Sequence, residues 1–491
     1  MTTAPVTLGR LAELLRASAI LRQGVEEDDV PLLGVSQDSR SVRPGDLFLA
    51  WRGVERDAHD YLGAAAAAGA RAAVVERLVP EAGIPQLVVS DGRLAGALAA
   101  DLLLGSPWRE LFLVAVTGTN GKTTTALLLR HLLLHLGPAA TIGTLGLVEP
   151  DGSVRPGTEG LTTPGPVDLS RWLRSLADGG VRSLTMEASS HALAQRRLDA
   201  MRVDVAVFTN LTLDHLDYHA DLEDYFQAKA HLVELLTGDG ALVLNAADPA
   251  WRRLPRRART LSFGIEMAAD VRGEEVELGA GGSRFVVSYL GEGAPVDLPL
   301  PGRFNVENAL AAAAAALVAG IPLGVVAERL GSVPQVPGRL EVVLSDPFVV
   351  LIDFAHTPDA LEGVLDALRP LARGRLIVLF GAGGDRDRSK RRPMAETVAA
   401  RADRVVLTSD NPRTEDPERI LDDLESGLGG SAYVRVADRR EAIRYALDMA
   451  RPGDVVLLAG KGHERYQVVG TEKRPFDERV VVRECLERGA A

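Results

Sequence analysis

The stretch Thr117-Gly118-Thr119-Asn120-Gly121-Lys122-Thr123-Thr124 stands between an apolar run, Leu111–Val116, and a helical pattern that continues to about Leu136. Strand, glycine-rich turn and helix in that order are the context a phosphate-binding loop requires. Backbone N–H groups and the positive end of the helix face the phosphates, Lys122 reaches them, and the Thr123 hydroxyl can hold Mg²⁺. Gly118, Thr119, Asn120, Gly121, Lys122, Thr123 and Thr124 are therefore the expected ATP-binding residues. The loop departs from the general G-x-x-x-x-G-K-[ST] pattern once, because Val116 occupies the first glycine position.

Kinases, switches, motors and ligases all use such a loop, so the reaction has to be read elsewhere. Short apolar runs alternate with helical patterns on both sides of it, which predicts α/β units with parallel strands. Before it, Leu47–Ala50, Ala72–Val75 and Gln86–Val89 read as strands, and the Ala64–Ala68 run as a helix packed closely on them. After it come Ser183–Glu187, Val203–Phe208 and Leu242–Asn245. From about 270 to 301 the alternation fails, and an antiparallel β insertion is expected before a helix over Asn308–Val318. A last unit opens near Pro337 with strands at Phe348–Asp353, Leu376–Phe380, Val405–Thr408 and Val455–Ala459. Its first helix has Thr357 as N-cap and Pro358 at the first helical position. At 491 residues the chain exceeds one hydrophobic core, and three α/β domains are expected: 1–107, 108–336 and 337–491.

Composition narrows the partners. A formal charge of -12 disfavours non-specific binding to nucleic acid, where phosphate contacts dominate affinity. Hydrophobic residues make up 46% and aromatics only 4%, so Ala, Val, Leu and Gly carry the core. No tract suits insertion in a membrane, since the most apolar one is broken by Gly320, Pro322 and Gly324. Cys485 is the only cysteine, which excludes an intrachain disulfide and a Cys-rich zinc site. Met1-Thr2-Thr3-Ala4-Pro5 lacks the basic and apolar regions of a signal peptide. A cytoplasmic protein, acting as a monomer, is expected.

Ligands of a doubly wound sheet gather at the carboxyl ends of its strands, and three candidates lie there. Glu187 ends a strand and could bind the Mg²⁺ that bridges ATP phosphates, or be a solvated acid. Asn210-Leu211-Thr212-Leu213-Asp214-His215-Leu216-Asp217-Tyr218-His219 could ligate metal, or be a polar loop with capping aspartates. Lys229, on a helical stretch, reads alone as a surface lysine. In the last unit, Gly381-Ala382-Gly383-Gly384-Asp385-Arg386-Asp387-Arg388, Asp410-Asn411-Pro412-Arg413 and Gly460-Lys461-Gly462-His463-Glu464 each follow a strand. Three such turns form a binding face for a polar, charged substrate.

Across essentially the whole chain this ordered set of motifs resembles the Mur ligases of peptidoglycan synthesis. It is most similar to the branch that adds a diamino acid to UDP-N-acetylmuramoyl-L-Ala-D-Glu. The resemblance is carried by Asp38-Ser39-Arg40 with Gly45-Asp46-Leu47-Phe48, the phosphate loop, Thr162-Thr163-Pro164, Met186–Leu193, Asn210–His219 and Lys229. It continues through Gly302-Arg303-Phe304-Asn305-Val306-Glu307-Asn308-Ala309, Pro337-Gly338-Arg339, Asp353-Phe354-Ala355-His356-Thr357-Pro358 and the three late turns. Phe354 stands where tyrosine is frequent in the family, and Ala58 replaces a common glycine.

The resemblance implies a three-domain Mur ligase architecture, with a central P-loop ATPase-type parallel sheet and a Rossmann-like C-terminal domain. It implies that Gln37, Ser39, Val54, Glu55 and Arg56 contact the uridine nucleotide, and that Thr162, Thr163, Ser189, Gln195 and Arg197 hold the muramoyl-dipeptide. Thr123 and Glu187 would serve one Mg²⁺, and His215 with a carbamylated Lys229 a second. Lys122, Lys229, His215 and Glu187 would form the catalytic group. Asn305, Asn308, Arg339 and Asp353 would contact ATP. Arg386, Asp410, Asn411, Pro412, Arg413, Gly460 and Glu464 would receive the diamino acid, with Arg413 pairing to the extra carboxylate of meso-diaminopimelate. L-Lysine or L-ornithine is the alternative acceptor, because relatives that take them can keep this arginine. A reading from a different class is a nucleotide-gated binding protein without catalysis. The company of Glu187, His215 and Lys229 speaks against it, since a switch needs no metal site on the acceptor side.

Overall fold

The structure is a computed structural model and describes residues 6–24, 29–53, 56–155, 161–212, 214–215, 218–257 and 259–489. The chain forms two compact units. One holds the chain up to Val271 together with Ala311–Pro322, and the other holds Arg272–Leu310 and the chain from Leu323 onward.

Besides the short pair Val6–Thr7 and Pro31–Leu32, the described residues of the first unit build a smaller and a larger sheet. In the smaller, the strands run in the order Leu21–Gln23, Gln86–Val89, Ala72–Val75, Asp46–Ala50, Gly34–Ser36. All but the first pair in parallel. In the larger, Ala139–Gly143, Ser183–Glu187, Phe112–Thr117, Val203–Phe208, Leu236–Asn245 and Arg259–Ile265 lie side by side in parallel. The hairpin partners Gly146–Val148 and Val154–Arg155 extend the Ala139–Gly143 edge. Leu113, Val114, Ala115 and Val116 are all fully buried, as expected of a strand covered on both faces. The helix Pro166–Asp178 ties the two sheets together. Its Val167 shares a core with Leu8, Leu47, Leu87 and Ala95, and Arg171 Nη2 donates to Val35 O at 2.7 Å. That shared core is why the first compact unit runs through residue 107 without a break.

In the second unit, Gly282–Tyr289 and Glu292–Leu298 form an antiparallel pair, within the region expected to be a β insertion. A six-stranded sheet follows in the order Glu341–Leu344, Val349–Asp353, Val455–Ala459, Leu376–Phe380, Arg404–Leu407, Tyr433–Arg435. Only its first pair is antiparallel. Thr357 caps the helix Pro358–Leu368 by accepting from Ala360 N–H, as the sequence predicted. Two elements are longer than expected. The helix expected from Asn308 begins at Arg303, and the strand expected from Leu242 begins at Leu236. Thr237-Gly238-Asp239-Gly240 masks the apolar signal of that strand's first half.

Candidate active site

Phe112–Thr117 delivers the phosphate loop at its carboxyl end, and the helix Lys122–Leu133 leaves it. The segment after the neighbouring strand Val203–Phe208 braces the loop. Asn210 O accepts the Thr119 N–H at 2.7 Å, and Asn210 Oδ1 accepts the Asn120 N–H at 2.9 Å. Thr209 Oγ1 donates to Asn120 O at 2.6 Å. The Thr119 and Asn120 N–H groups are thereby fixed, while those of Thr123 and Thr124 in the first turn of the helix lack an intrahelical acceptor and suit an anion.

Two amines meet at one carbonyl here. Lys122 Nζ donates to Gly118 O at 3.0 Å and to Thr119 O at 2.8 Å. Lys229 Nζ reaches the same Gly118 O at 2.7 Å from the helix Leu222–Ala230. Far from a surface lysine, Lys229 is 1% exposed, and its Nζ stands 4.3 Å from the Tyr225 ring centroid. Burial, and then the Lys122 charge, push its pKa well below that of an ordinary lysine, with Asp214 opposing.

Glu187 is likewise 1% exposed. Its Oε2 accepts from Thr123 Oγ1 at 3.0 Å and from Thr144 Oγ1 at 3.1 Å, and its Oε1 from the Thr144 N–H at 2.8 Å. Every one of these hydrogen-bond partners is neutral. Gly143 makes this placement possible, because a Cβ there would collide with the Glu187 carboxylate.

His215 adopts a left-handed backbone at φ 55°. Its ring stands edge-on to His191 at 4.9 Å and 6.2 Å from the Tyr225 ring, so His215 and Lys229 both border Tyr225. Leu213, Leu216 and Asp217 of this loop lie outside the described residues. Among the described residues, no group of three or more His, Cys, Asp and Glu gathers as a metal site by itself.

The five residues expected at the muramoyl-dipeptide form one network. Thr163 Oγ1 donates to Glu187 O at 2.7 Å and accepts the Ser189 N–H at 3.1 Å. Arg197 donates to Thr163 O and to Gln195 Oε1, both at 2.6 Å. Thr162 Oγ1 lies 3.4 Å from Thr144 Oγ1. Gln37, just past the strand Gly34–Ser36, approaches Gly165, where a Cβ would lie 3.1 Å from its Nε2. Ser39 is in a short helical turn capped by Asp38, and Arg56 O accepts the Gly53 N–H at 2.8 Å. Val54 and Glu55 lie outside the described residues.

In the second unit, Asn305 and Asn308 are buried in the first turns of the helix Arg303–Val318, 3.3 Å apart through Oδ1 and Nδ2. Asp353 is buried at a strand end, where Leu340 and Ala355 N–H groups donate to it at 2.7 and 2.8 Å. Burial raises its pKa, and the Arg339 charge opposes this. Arg339 lies 5.0 Å above the Phe354 ring. The late turns approach one another. Arg386 and Arg413 flank Gly383, where a Cβ would stand 3.7 Å from Arg386 Cγ and 2.9 Å from Arg413 Nη1. Arg413 Nη1 donates to Gly384 O at 2.8 Å. Asn411 Nδ2 donates to Glu464 Oε2 at 2.8 Å. Gly460 borders the buried Asp410, whose Oδ2 has no hydrogen-bond partner among the described residues. Pro412 carries this loop onward to Arg413, whose N–H donates to Val468 O at 3.0 Å.

Family models match along the chain: the Mur ligase middle domain over residues 116–316, and the Mur ligase glutamate ligase domain over residues 338–462. The UDP-N-acetylmuramoyl-L-alanyl-D-glutamate--2,6-diaminopimelate ligase of Geobacillus thermodenitrificans (strain NG80-2) is 43% identical over 467 residues, which cover 93% of this chain and 95% of that protein. The chain belongs to the Mur ligase family. A solved structure of a UDP-N-acetylmuramoyl-L-alanyl-D-glutamate--2,6-diaminopimelate ligase matches at TM-score 0.72 and 32% identity, covering 99% of this chain and 100% of that one. The Thermotoga maritima MurF ligase in complex with ADP matches in fold at TM-score 0.62 and 20% identity, over 92% of this chain and 97% of that one. The expected three-domain Mur ligase architecture is therefore the fold of this chain. Among its described residues, no helix is long and apolar enough to cross a membrane.

Sequence reasoning did not single out three residues of this Mur ligase that touch the candidate residues. Thr144 and Tyr225 carry no motif, and their places depend on the hairpin and helix that hold them. His463 lies inside a quoted turn, yet its environment comes from elsewhere. Its ring packs 5.1 Å from Phe354. Burial first, then the Arg339 and Arg479 charges, push its pKa down to about 4. An unfolded chain protonates this histidine near pH 6.5, so between those values the unfolded state binds the extra proton. Stability from this group is full above about pH 6.5 and is lost as pH falls toward 4, by about 2–3 kcal/mol. His463→Phe should therefore lose less thermal stability than the parent between pH 7 and pH 5. Parallel curves would remove His463 from the acid response.

Proposed function

We propose that this chain is an ATP-dependent ligase that joins a diamino acid, meso-diaminopimelate, to the D-Glu side-chain carboxylate of UDP-N-acetylmuramoyl-L-Ala-D-Glu. It would act in the cytoplasm as a monomer, with working domains at 1–107, 108–336 and 337–491. The observation that carries the reading is the meeting of Lys122 and Lys229 at Gly118 O, beside the buried Thr123–Glu187 pair. Such a site collects the negative oxygens of a phosphoryl group and its acceptor. The relatives' names supply the substrate class.

A carboxylate is a poor electrophile. Transfer of the ATP γ-phosphoryl group to it gives an acyl phosphate and ADP. The amine of the diamino acid then attacks the acyl carbon, phosphate leaves, and the amine gives up a proton. Lys122 and the helix N-terminus lie where charge builds on the transferring group and on the tetrahedral intermediate. Gly118, Thr119, Asn120, Gly121, Thr123 and Thr124 complete the phosphate cradle, and Asn305, Asn308, Arg339 and Asp353 are proposed as further ATP contacts. The all-oxygen pair Thr123 and Glu187 suits Mg²⁺; His215 and Lys229 would hold a second ion. Bound Mg²⁺ supplies neutralisation of phosphate charge. A buried lysine held unprotonated can add CO₂ and release a proton, becoming an anionic carbamate, which would give Lys229 the oxygens a cation needs.

Gln37, Ser39, Val54, Glu55 and Arg56 are proposed for the uridine nucleotide. Thr162, Thr163, Ser189, Gln195 and Arg197 are proposed for the muramoyl-dipeptide. Arg386 and Arg413 suit the extra carboxylate of diaminopimelate, and the unpartnered Asp410 Oδ2 suits an ammonium group. With the D-Glu carboxylate labelled with ¹⁸O, one label should appear in the released phosphate. Label retained wholly in the peptide would exclude the acyl phosphate. Arg413→Ala should raise the apparent KM for diaminopimelate about ten- to a hundredfold. An unchanged KM would favour lysine or ornithine as the acceptor.

A further inference from the structure

Lys461 stands in the turn after Val455–Ala459, between Gly460 and Glu464 of the expected amino-acid site, and has been given no role of its own. Its side chain is 0% exposed. The Nζ sits 3.0 Å from Asn411 Oδ1 and 3.0 Å from Glu464 Oε2. Its two partners are themselves joined, Asn411 Nδ2 to Glu464 Oε2 at 2.8 Å. The three side chains thus close a triangle linking the turn after Arg404–Leu407 to the turn after Val455–Ala459. Behind it stands a second buried pair, Arg439 with Glu478, at 2.8 Å and with both side chains 0% exposed. Arg439 Nη2 also holds Ala459 O at 2.9 Å, at the end of the strand that leads into Gly460 and Lys461.

Burying such a pair gains little net stability, because desolvation offsets the attraction. What a fixed cation between two polar side chains does supply is geometry. Asn411 can turn its amide over, and Glu464 has rotatable bonds to swing; Lys461, together with the Val468 N–H on Asn411 Oδ1, fixes which end of the amide and which carboxylate oxygen face inward. We propose that Lys461 is a positioning residue for the incoming amino acid, orienting Asn411 and Glu464 without touching the substrate. The inference rests on the reading of this pocket as the amino-acid site.

Lys461→Met is the direct test. It should fold, because both acceptors keep another donor: Val468 N–H to Asn411 Oδ1 at 2.8 Å, and Asn411 Nδ2 to Glu464 Oε2 at 2.8 Å. Lys461→Gln, measured alongside, keeps a donor of shorter reach and no charge. In full-length enzyme with saturating UDP-muramoyl-dipeptide, either variant should raise the apparent KM for diaminopimelate about tenfold or more. The KM for ATP should stay within about twofold. Combined with Glu464→Gln, Lys461→Met should add little further to that KM, since it acts through Glu464. A folded variant with unchanged amino-acid KM overturns the proposal, as does a rise of both KM values together, which marks a merely structural role. If the parent enzyme itself forms no product with any diamino acid, the reading of the pocket falls instead.

Discussion

Lys122→Met is expected to cut ATP-dependent phosphate release by about a thousandfold, the size of effect that follows removal of one group aimed at developing charge. The expectation rests on placement. Lys122 opens the helix Lys122–Leu133 and its amine turns back over the loop. A γ-phosphoryl group resting on the helix N-terminus would exchange those carbonyl contacts for its own oxygens. Methionine keeps the length and the apolar stem of the side chain, so the fold should survive and melting should shift little. Binding of ATP should weaken less than turnover, because the N–H groups at the start of the helix remain. A variant that turns over within tenfold of the parent would take Lys122 out of the reaction.

Lys229→Ala is expected to abolish ligation, and added short carboxylic acids should partly restore it. Removing the side chain leaves space beside Tyr225 and Gly118 O, next to the Lys122 amine. A soluble carboxylate placed there would imitate the carbamate oxygens proposed for Lys229, whereas an uncharged amide of the same size would not. The depressed pKa of this amine argues the same way, since only the unprotonated form adds CO₂. Full activity without rescue would remove Lys229 from the site.

Much of this was legible in the sequence because it was local. Ala72–Val75, Leu376–Phe380 and Val455–Ala459 are apolar runs of strand length and Ser183–Glu187 alternates polar with apolar, and the structure keeps each at the limits the pattern predicted. Edge strands such as Leu21–Gln23 and Val154–Arg155 are short and largely exposed, so they leave no periodic signal. Glu187 could be read as an acid at a strand end. Its burial could not, because it depends on a hairpin that brings Thr144 from 43 residues away. Lys229 is the clearest case of a signal that local pattern gets backwards. Its partner Gly118 is 111 residues distant, and only the parallel sheet brings them together.

The most direct test of the account measures phosphate release from ATP by the intact chain with UDP-N-acetylmuramoyl-L-Ala-D-Glu, comparing meso-diaminopimelate, L-lysine and L-ornithine as acceptors. Release dependent on both the nucleotide-linked dipeptide and diaminopimelate, with the other two acceptors far slower, is the predicted result. No release with any of the three would contradict it.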